Sequence, residues 1–256
     1  MLTLFAERVP ARSVVILRVV IGLVSILRGI EEWRVMRLVF RPDIVRFPMF
    51  EFLPVIGARA ATGFLVAWML AACAFTIGAQ VRLSGLVLAA TMGTTLFIDQ
   101  QLYFSHLYLL TLIVLLVALA NPENRAETVI YWPVLLLKLQ LSIVYIFAAV
   151  SKMNSQYLSG FMLAANFRKS LVFPPALLSA FAAASIFVEV FLAFALWSRR
   201  WRKPAVVIGV GFHAVMVFSL APPVMAQLAL FAVECIALYQ LFFIPRLRSN
   251  DQTADA

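Results

Sequence analysis

Charge is what this sequence has least of: 12 acidic and 21 basic residues among 256, or 13% charged, against about 25% in a soluble domain. With 64% hydrophobic residues and a mean hydropathy of +0.98, the chain carries more apolar surface than a soluble core of this length can bury. A water-soluble globule is excluded, and lipid must be the solvent. Cysteine and histidine are equally scarce, at two each. Cys73 and Cys235 fall inside apolar stretches with no CxxC spacing, which reads as two small core residues rather than a disulfide or thiolate site. His106 and His213 have no carboxylate or cysteine at ligand spacing, so no metal is predicted. Glycine-rich phosphate loops and basic–aromatic strand patterns are missing too, so the net charge of +9 does not point to nucleotide or nucleic acid. No internal repeat and no soluble domain stand out.

What is present is a series of apolar runs near the length of about 20 residues that crosses a bilayer. They occupy 13–31, 60–79, 82–99, 103–120, 133–152, 176–197, 204–220 and 224–244. The predicted fold class is all-α, a polytopic integral membrane helix bundle of about eight transmembrane helices forming one domain over 1–256. The breaks between runs are a turn at Gln80 and Arg82, Asn121-Pro122-Glu123-Asn124, the Arg199–Lys203 run with Pro204, and Pro222-Pro223. Two connections are longer. Residues 32–59 are mixed in charge and broken by Pro42, Pro48 and Pro54, with Asp43 and Glu51 among the basic residues. Residues 153–175 are partly amphipathic and end at Pro174-Pro175, as an interfacial or re-entrant segment does. The N-terminal stretch resembles a signal peptide in outline, but it contains Arg18 and Arg28 and no clear small-residue cleavage site, so it is read as the first span.

Eight spans put both termini on one side. If the dense Arg199–Lys203 cluster is cytoplasmic, then Arg8, Arg12, Arg82, Arg125, Arg246 and Arg248 join it, ten basic residues in all. Eight basic residues (Arg34, Arg37, Arg41, Arg46, Arg59, Lys152, Arg168 and Lys169) fall on the other side. The expected location is a multi-pass protein of the cell membrane with both termini cytoplasmic.

Ionisable groups inside spans are costly, so each is a candidate for function. Arg18, Arg28, Asp99, His106, Lys138, Lys152, Glu189, His213 and Glu234 qualify. On this topology Asp99, His106 and Lys152 lie at the outer ends of their spans, with Glu189 and His213 near mid-depth. One amine, two imidazoles and one or two carboxylates are thus expected to converge in the outer half. Lys138 and Glu234 lie elsewhere. Arg18 is expected to be structural, paired with Glu189 or Asp99 on a neighbouring helix.

The fifth run is the most informative. Helical spacing of seven places Tyr145 and Lys152 within roughly 20° on one face, with Gln140 more than about 100° away. Ala148 and Ala149 leave room beside that face for close packing or a ligand. A lysine there is partly desolvated, and the neutral amine is then available as a base. The alternative for Lys152 is snorkelling to the headgroups from a helix end.

The stretch from Gln140 to Gly160, Q-L-S-I-V-Y-I-F-A-A-V-S-K-M-N-S-Q-Y-L-S-G, resembles a signature of the HTTM family, the membrane portion of vitamin K-dependent γ-carboxylases and their bacterial relatives. Phe104-Ser105-His106-Leu107-Tyr108-Leu109, Glu189 followed by Trp197-Ser198-Arg199-Arg200, Gly211-Phe212-His213 and Leu17-Arg18-Val19-Val20-Ile21-Gly22 resemble four more of its motifs, in family order. Tyr157 stands where the family usually has tryptophan, and Ser105 where asparagine often precedes the histidine.

The resemblance implies that Lys152 is the base that deprotonates reduced vitamin K or menaquinone, that His106 assists, and that the site faces outward. Tyr145, His213, Glu189, Asp99 and Arg18 are the accompanying candidates for substrate binding. In the carboxylases a large soluble domain follows the spans, and none follows them here up to Ala256. Fold and site geometry are therefore expected to carry over more readily than the full reaction. The expected function is that of a carboxylase-like membrane protein acting on a quinol or another lipid-soluble substrate. The alternatives are a non-enzymatic membrane factor that matures a secreted peptide, and a quinone-binding subunit resembling the DoxX proteins. The bilayer is the expected partner, with a quinone; the sequence names no protein partner.

Overall fold

The computed structural model describes residues 7–41, 43–50, 52 and 57–245. Pro42, Glu51, Pro54, Arg246 and Arg248, which entered the sequence argument, lie outside the described residues. The described chain is helical apart from one small ladder. A short strand β1 (Arg8–Pro10) precedes helix α1 (Arg12–Val39). Helices α2 (Ala58–Ile77), α3 (Val81–Ile98) and α4 (Ser105–Ala120) follow. Strand β2 (Thr128–Ile130) pairs antiparallel with β1, and α5 (Tyr131–Ser151) starts directly after it. Two short helices, α6 (Ser155–Leu158) and α7 (Phe161–Asn166), lead to α8 (Pro175–Ala195), α9 (Arg202–Ser219) and α10 (Pro222–Tyr239), and a 3₁₀ turn covers Gln240–Phe243.

Among the described residues seven helices are long and apolar enough to cross a membrane, so the chain is a multi-pass, all-α membrane protein. The fourth run departs from expectation. Helix α4 has 16 residues, a rise of about 24 Å, short of the roughly 30 Å hydrocarbon layer. Its start is set by Asp99, which is extended and caps the 3₁₀ turn Gln100–Leu102 by accepting from the Gln101 N–H. The first run departs in the other direction. Residues 32–39, expected within a connection, continue α1 to a length of 28 residues. The reason lies in the buried stripe Arg18, Ser25, Glu32 and Val39, with Arg28 and Met36 beside it, which keeps helical spacing past the charged residues.

The chain divides into two compact units, residues 1–136 with 244–256, and residues 137–243. In the first, α1 packs on α2, α2 on α3, α3 on α4, and α4 back on α1. Leu17, Ile21, Leu65, Trp68, Phe75, Leu88 and Met92 fill its core, and the Trp68 indole N–H donates to the Ser25 carbonyl at 2.9 Å. In the second unit α8 packs on α9 and α9 on α10, with α6 and α7 against α8. The backbone after α7 is tied to the α9–α10 link: Arg168 N–H donates to the Ser219 carbonyl and Ala221 N–H to the Asn166 carbonyl, both at 2.9 Å.

Candidate functional site

In the second unit, chemistry is built where α5 ends. The backbone N–H of Lys152 still donates to the Ala149 carbonyl at 3.2 Å, so the side chain leaves from the last turn of the helix. Asn154 then accepts from the Tyr157 N–H at 2.9 Å and caps α6, which turns the Tyr157 ring back toward the lysine. Gly160 holds the next corner. Its φ is +78°, and a Cβ there would come within 2.5 Å of the Leu178 Cβ, so only glycine lets this corner lie against α8.

The Lys152 ammonium donates to Glu189 Oε1 across to α8. The pair is largely buried, with side-chain exposures of 17% for Lys152 and 5% for Glu189. A neutral pair is far cheaper to hold in lipid than either charge alone. The second oxygen, Glu189 Oε2, is buried with no hydrogen-bond partner. Aromatic faces complete the setting, with the Tyr157 ring centre 5.5 Å and the Phe212 ring centre 5.9 Å from the ammonium.

Those two rings also line a cavity of about 380 Å³. Its remaining wall is mostly apolar, with Phe167, Phe173, Phe181, Val188 and Met216 among the residues. Ser185, one turn before Glu189, adds one hydroxyl to the wall. Ser185 gives its hydrogen to the Ala182 carbonyl at 2.8 Å, so Tyr157 is the donor in the 2.9 Å bond between the two hydroxyls. That fixes the Tyr157 ring. The cavity is therefore mostly apolar and aromatic, with Tyr157 and Ser185 on the wall it shares with the ion-pair setting and Ser219 further along α9.

A second polar chain lies deeper on α5. The buried Tyr145 hydroxyl bonds His213 Nε2 at 3.0 Å and also the hydroxyl of Tyr239 on α10. Gly209, one turn before His213, makes room for this, since a Cβ there would meet the Tyr239 hydroxyl at 2.3 Å. About one turn earlier on α5, Ser142 donates to the Ala193 carbonyl at 3.0 Å and accepts from the Trp197 indole at 2.8 Å, which fastens α5 to α8.

The remaining expected site residues belong to the first unit. Arg18 does not pair with a carboxylate. Its guanidinium donates to the Pro122 carbonyl at 3.2 Å and to Asn124 Oδ1 at 2.5 Å, and Asn124 in turn donates to the Ile77 carbonyl. It braces the loop after α4 against the end of α2, because the carboxylates it was matched with are engaged elsewhere. Asp99 is one of them: it accepts from Arg46 Nε at 2.9 Å and from the Phe47 and Gln101 N–H groups at 3.0 Å each. Burial opposes its ionisation, but these hydrogen bonds and the Arg46 charge prevail and hold its carboxyl below the usual range. One oxygen anchors the 43–50 loop and the other caps the 3₁₀ turn. His106 stands on the first turn of α4 within the field of Arg28, which pairs with Glu31 at 2.7 Å. Lys138 and Glu234 are buried in the second unit, with the Lys138 ammonium 5.9 Å from the Phe242 ring centre.

Four of the expected residues, Lys152, Tyr145, Glu189 and His213, thus share the second unit, while His106, Asp99 and Arg18 lie in the first. Sequence reasoning missed Tyr239, Ser185 and Glu32. Ser185–Glu189 spacing was readable as one helical face, and Glu32 continues the Arg18–Ser25 stripe. Nothing local marked Tyr239.

Among described residues no group of three or more histidine, cysteine, aspartate or glutamate side chains is placed to hold a metal ion. Comparison with protein families matches residues 7–246 to the HTTM domain. The chain belongs to the HTTM family. This makes it a membrane protein of the vitamin K-dependent carboxylase-like family, and the match takes in both units of the HTTM chain. Neither the curated proteins nor the solved structures contain a match to it.

Proposed function

We propose that this HTTM protein binds a lipid-soluble hydroquinone, of the reduced vitamin K or menaquinone type, in the second-unit cavity and removes its hydroxyl proton with Lys152. The observation that carries this reading is the Lys152–Glu189 pair beside an aromatic cavity that shares Tyr157 and Phe212 with it. A volume of about 380 Å³ is within the range of roughly 300–1,000 Å³ typical of small-molecule sites, and an apolar wall with few convergent polar groups is their usual lining. A flat ring fits between aromatic faces, and at the Tyr157 and Phe212 end its hydroxyl comes beside the ion pair.

The pair also sets the proton inventory. Lys152 donates to Glu189 in the resting arrangement, so it acts as a base only after Glu189 or solvent has taken that proton. Glu189 is accordingly part of the base: its open Oε2 accepts a hydrogen bond from the substrate hydroxyl in the resting complex, and once Glu189 has taken the lysine proton the neutral amine removes the hydroxyl proton and is positive again. Once the O–H bond breaks, the positive Lys152 Nζ stabilises the phenolate without leaving its place. Tyr145, bonded to His213 and Tyr239, holds the α5 backbone that presents Lys152. Purified protein incubated with reduced menaquinone under oxygen should consume the hydroquinone and yield an oxidised product, epoxide or quinone, faster than a protein-free control. Equal rates in the wild type and Lys152→Ala would end this reading.

One observation favours a second reading, quinone binding without turnover: Glu189 already occupies the lysine. Binding of the oxidised quinone, measured by tryptophan quenching, with no hydroquinone consumption would select it. The reading also places the site toward the outer face and both termini in the cytoplasm, with the short α4 counted as a crossing because β2, which follows it, pairs with β1; cysteine-labelling at Arg199→Cys and Gln156→Cys would test this.

A further inference from the structure

The seam between α1 and α2 carries a site of a different kind. Two cavities of about 330 and 260 Å³ follow each other along it and share Trp33 and Leu65. Gly29, Ile30, Val66 and Met69 line the first, which is almost wholly apolar, and Met36 and Ala61 line the second. Together they run beside α1 from Gly29 to the helix end, a rise of roughly 15 Å. Two cations meet this groove, Arg34 in the first cavity and Arg37 in the second, one helical turn apart.

Both arginines are exposed and have no ion-pair partner among the described residues. Their neighbours are already used, Arg41 by Asp43 at 2.9 Å and Arg46 by Asp99 at 2.9 Å. The length of α1 places them. From Arg12 to Arg34 the helix rises about 33 Å, close to the roughly 30 Å hydrocarbon thickness, so the Arg34–Arg37 turn stands at headgroup level. Trp33, half-exposed beside them, is the residue type that sits at that level.

We infer that the α1–α2 groove is a binding site for an anionic phospholipid, its phosphate on Arg34 and Arg37 and one acyl chain along Gly29, Ile30, Val66 and Met69. An apolar cavity that reaches about 7.5 Å, five residues of α1, below two uncompensated guanidinium groups is complementary to the phosphate and upper acyl chain of that lipid and to no uncharged one. The site lies in the first unit and does not depend on the hydroquinone reading.

Native mass spectrometry of the delipidated full-length protein, titrated with phosphatidylglycerol or phosphatidylcholine of equal acyl chains, tests it. Phosphatidylglycerol is expected to bind about tenfold or more tightly. The double variant R34Q/R37Q should bring the two lipids near parity, and V66W, which closes the groove with both arginines intact, should weaken both. Parity in the wild type overturns the site, as does an undiminished preference in R34Q/R37Q or full binding in V66W. If the double variant does not fold, R34Q and R37Q are measured singly; each is expected to lose part of the preference, and no loss in either overturns it equally.

Discussion

Asp99 in the first unit and Glu189 in the second are both buried carboxylates facing a single basic side chain, yet they do opposite things. Asp99 accepts from Arg46 and from two backbone N–H groups: one oxygen holds the 43–50 loop and the other caps the 3₁₀ turn. Glu189 accepts from Lys152 through one oxygen and leaves the other buried and without a hydrogen-bond partner among the described residues. A carboxylate whose hydrogen bonds are complete is part of the scaffold. One that keeps a buried oxygen open costs stability and is retained where a ligand or a proton completes it.

Removing the basic partner should separate the two most sharply. Lys152→Ala strands the Glu189 charge, and breaking a buried pair this way costs about 3–5 kcal/mol; hydroquinone turnover should fall to background. Thermal unfolding in detergent reads the stability loss, and Lys152→Ala/Glu189→Ala should unfold at a higher temperature than Lys152→Ala alone. If the double variant is no better, the carboxylate was not held by the lysine.

Next in size is Gly209→Ala, whose methyl would collide with the Tyr239 hydroxyl. Overpacking of this kind costs about 1–3 kcal/mol. Tyr239→Phe/Gly209→Ala should be milder than Gly209→Ala, because the colliding oxygen is gone; unfolding midpoints of the three proteins decide it.

Asp99 should show itself through pH. Because folding lowers its pKa, its contribution is complete above the ordinary carboxylate value of about 3.9 and is lost as pH falls through the lower folded value. Limited proteolysis of the 43–50 loop against pH should therefore show opening only in strong acid. In Arg46→Met the opening should move upward, toward the ordinary carboxylate range. An unshifted profile would mean that Arg46 does not hold the loop. The smallest effect belongs to Ser185→Ala, which removes the acceptor of the Tyr157 hydroxyl and should cost about 0.5–1.5 kcal/mol. It should weaken hydroquinone binding more than it lowers the unfolding temperature.

The membrane fold and the place of Lys152 at the end of an apolar run were legible in the sequence, and for the same reason. Apolar runs of bilayer length and a charge at a span end are local features, written in consecutive residues. The seven-residue spacing of Tyr145 and Lys152 put them on one face, and both do reach across to α8 or α9. What was not legible is pairing between distant segments. Arg18 looked like a partner for a carboxylate, and only the fold shows that Asn124 and the Pro122 carbonyl take its donors. Tyr239 was one aromatic in an apolar run until Gly209 let it approach. The extension of α1 to Val39 was hidden by its charges, although the stripe through Glu32 kept its spacing.

The most direct test of the central claim is an experimental structure of the protein with a non-oxidisable hydroquinone analogue in lipid nanodiscs. The aromatic ring should lie against Tyr157 and Phe212, with its hydroxyl within hydrogen-bond distance of Glu189 Oε2 and the Lys152–Glu189 pair retained. A ring bound elsewhere, or a Lys152 side chain turned out to the lipid headgroups with Glu189 unpaired, would contradict the account.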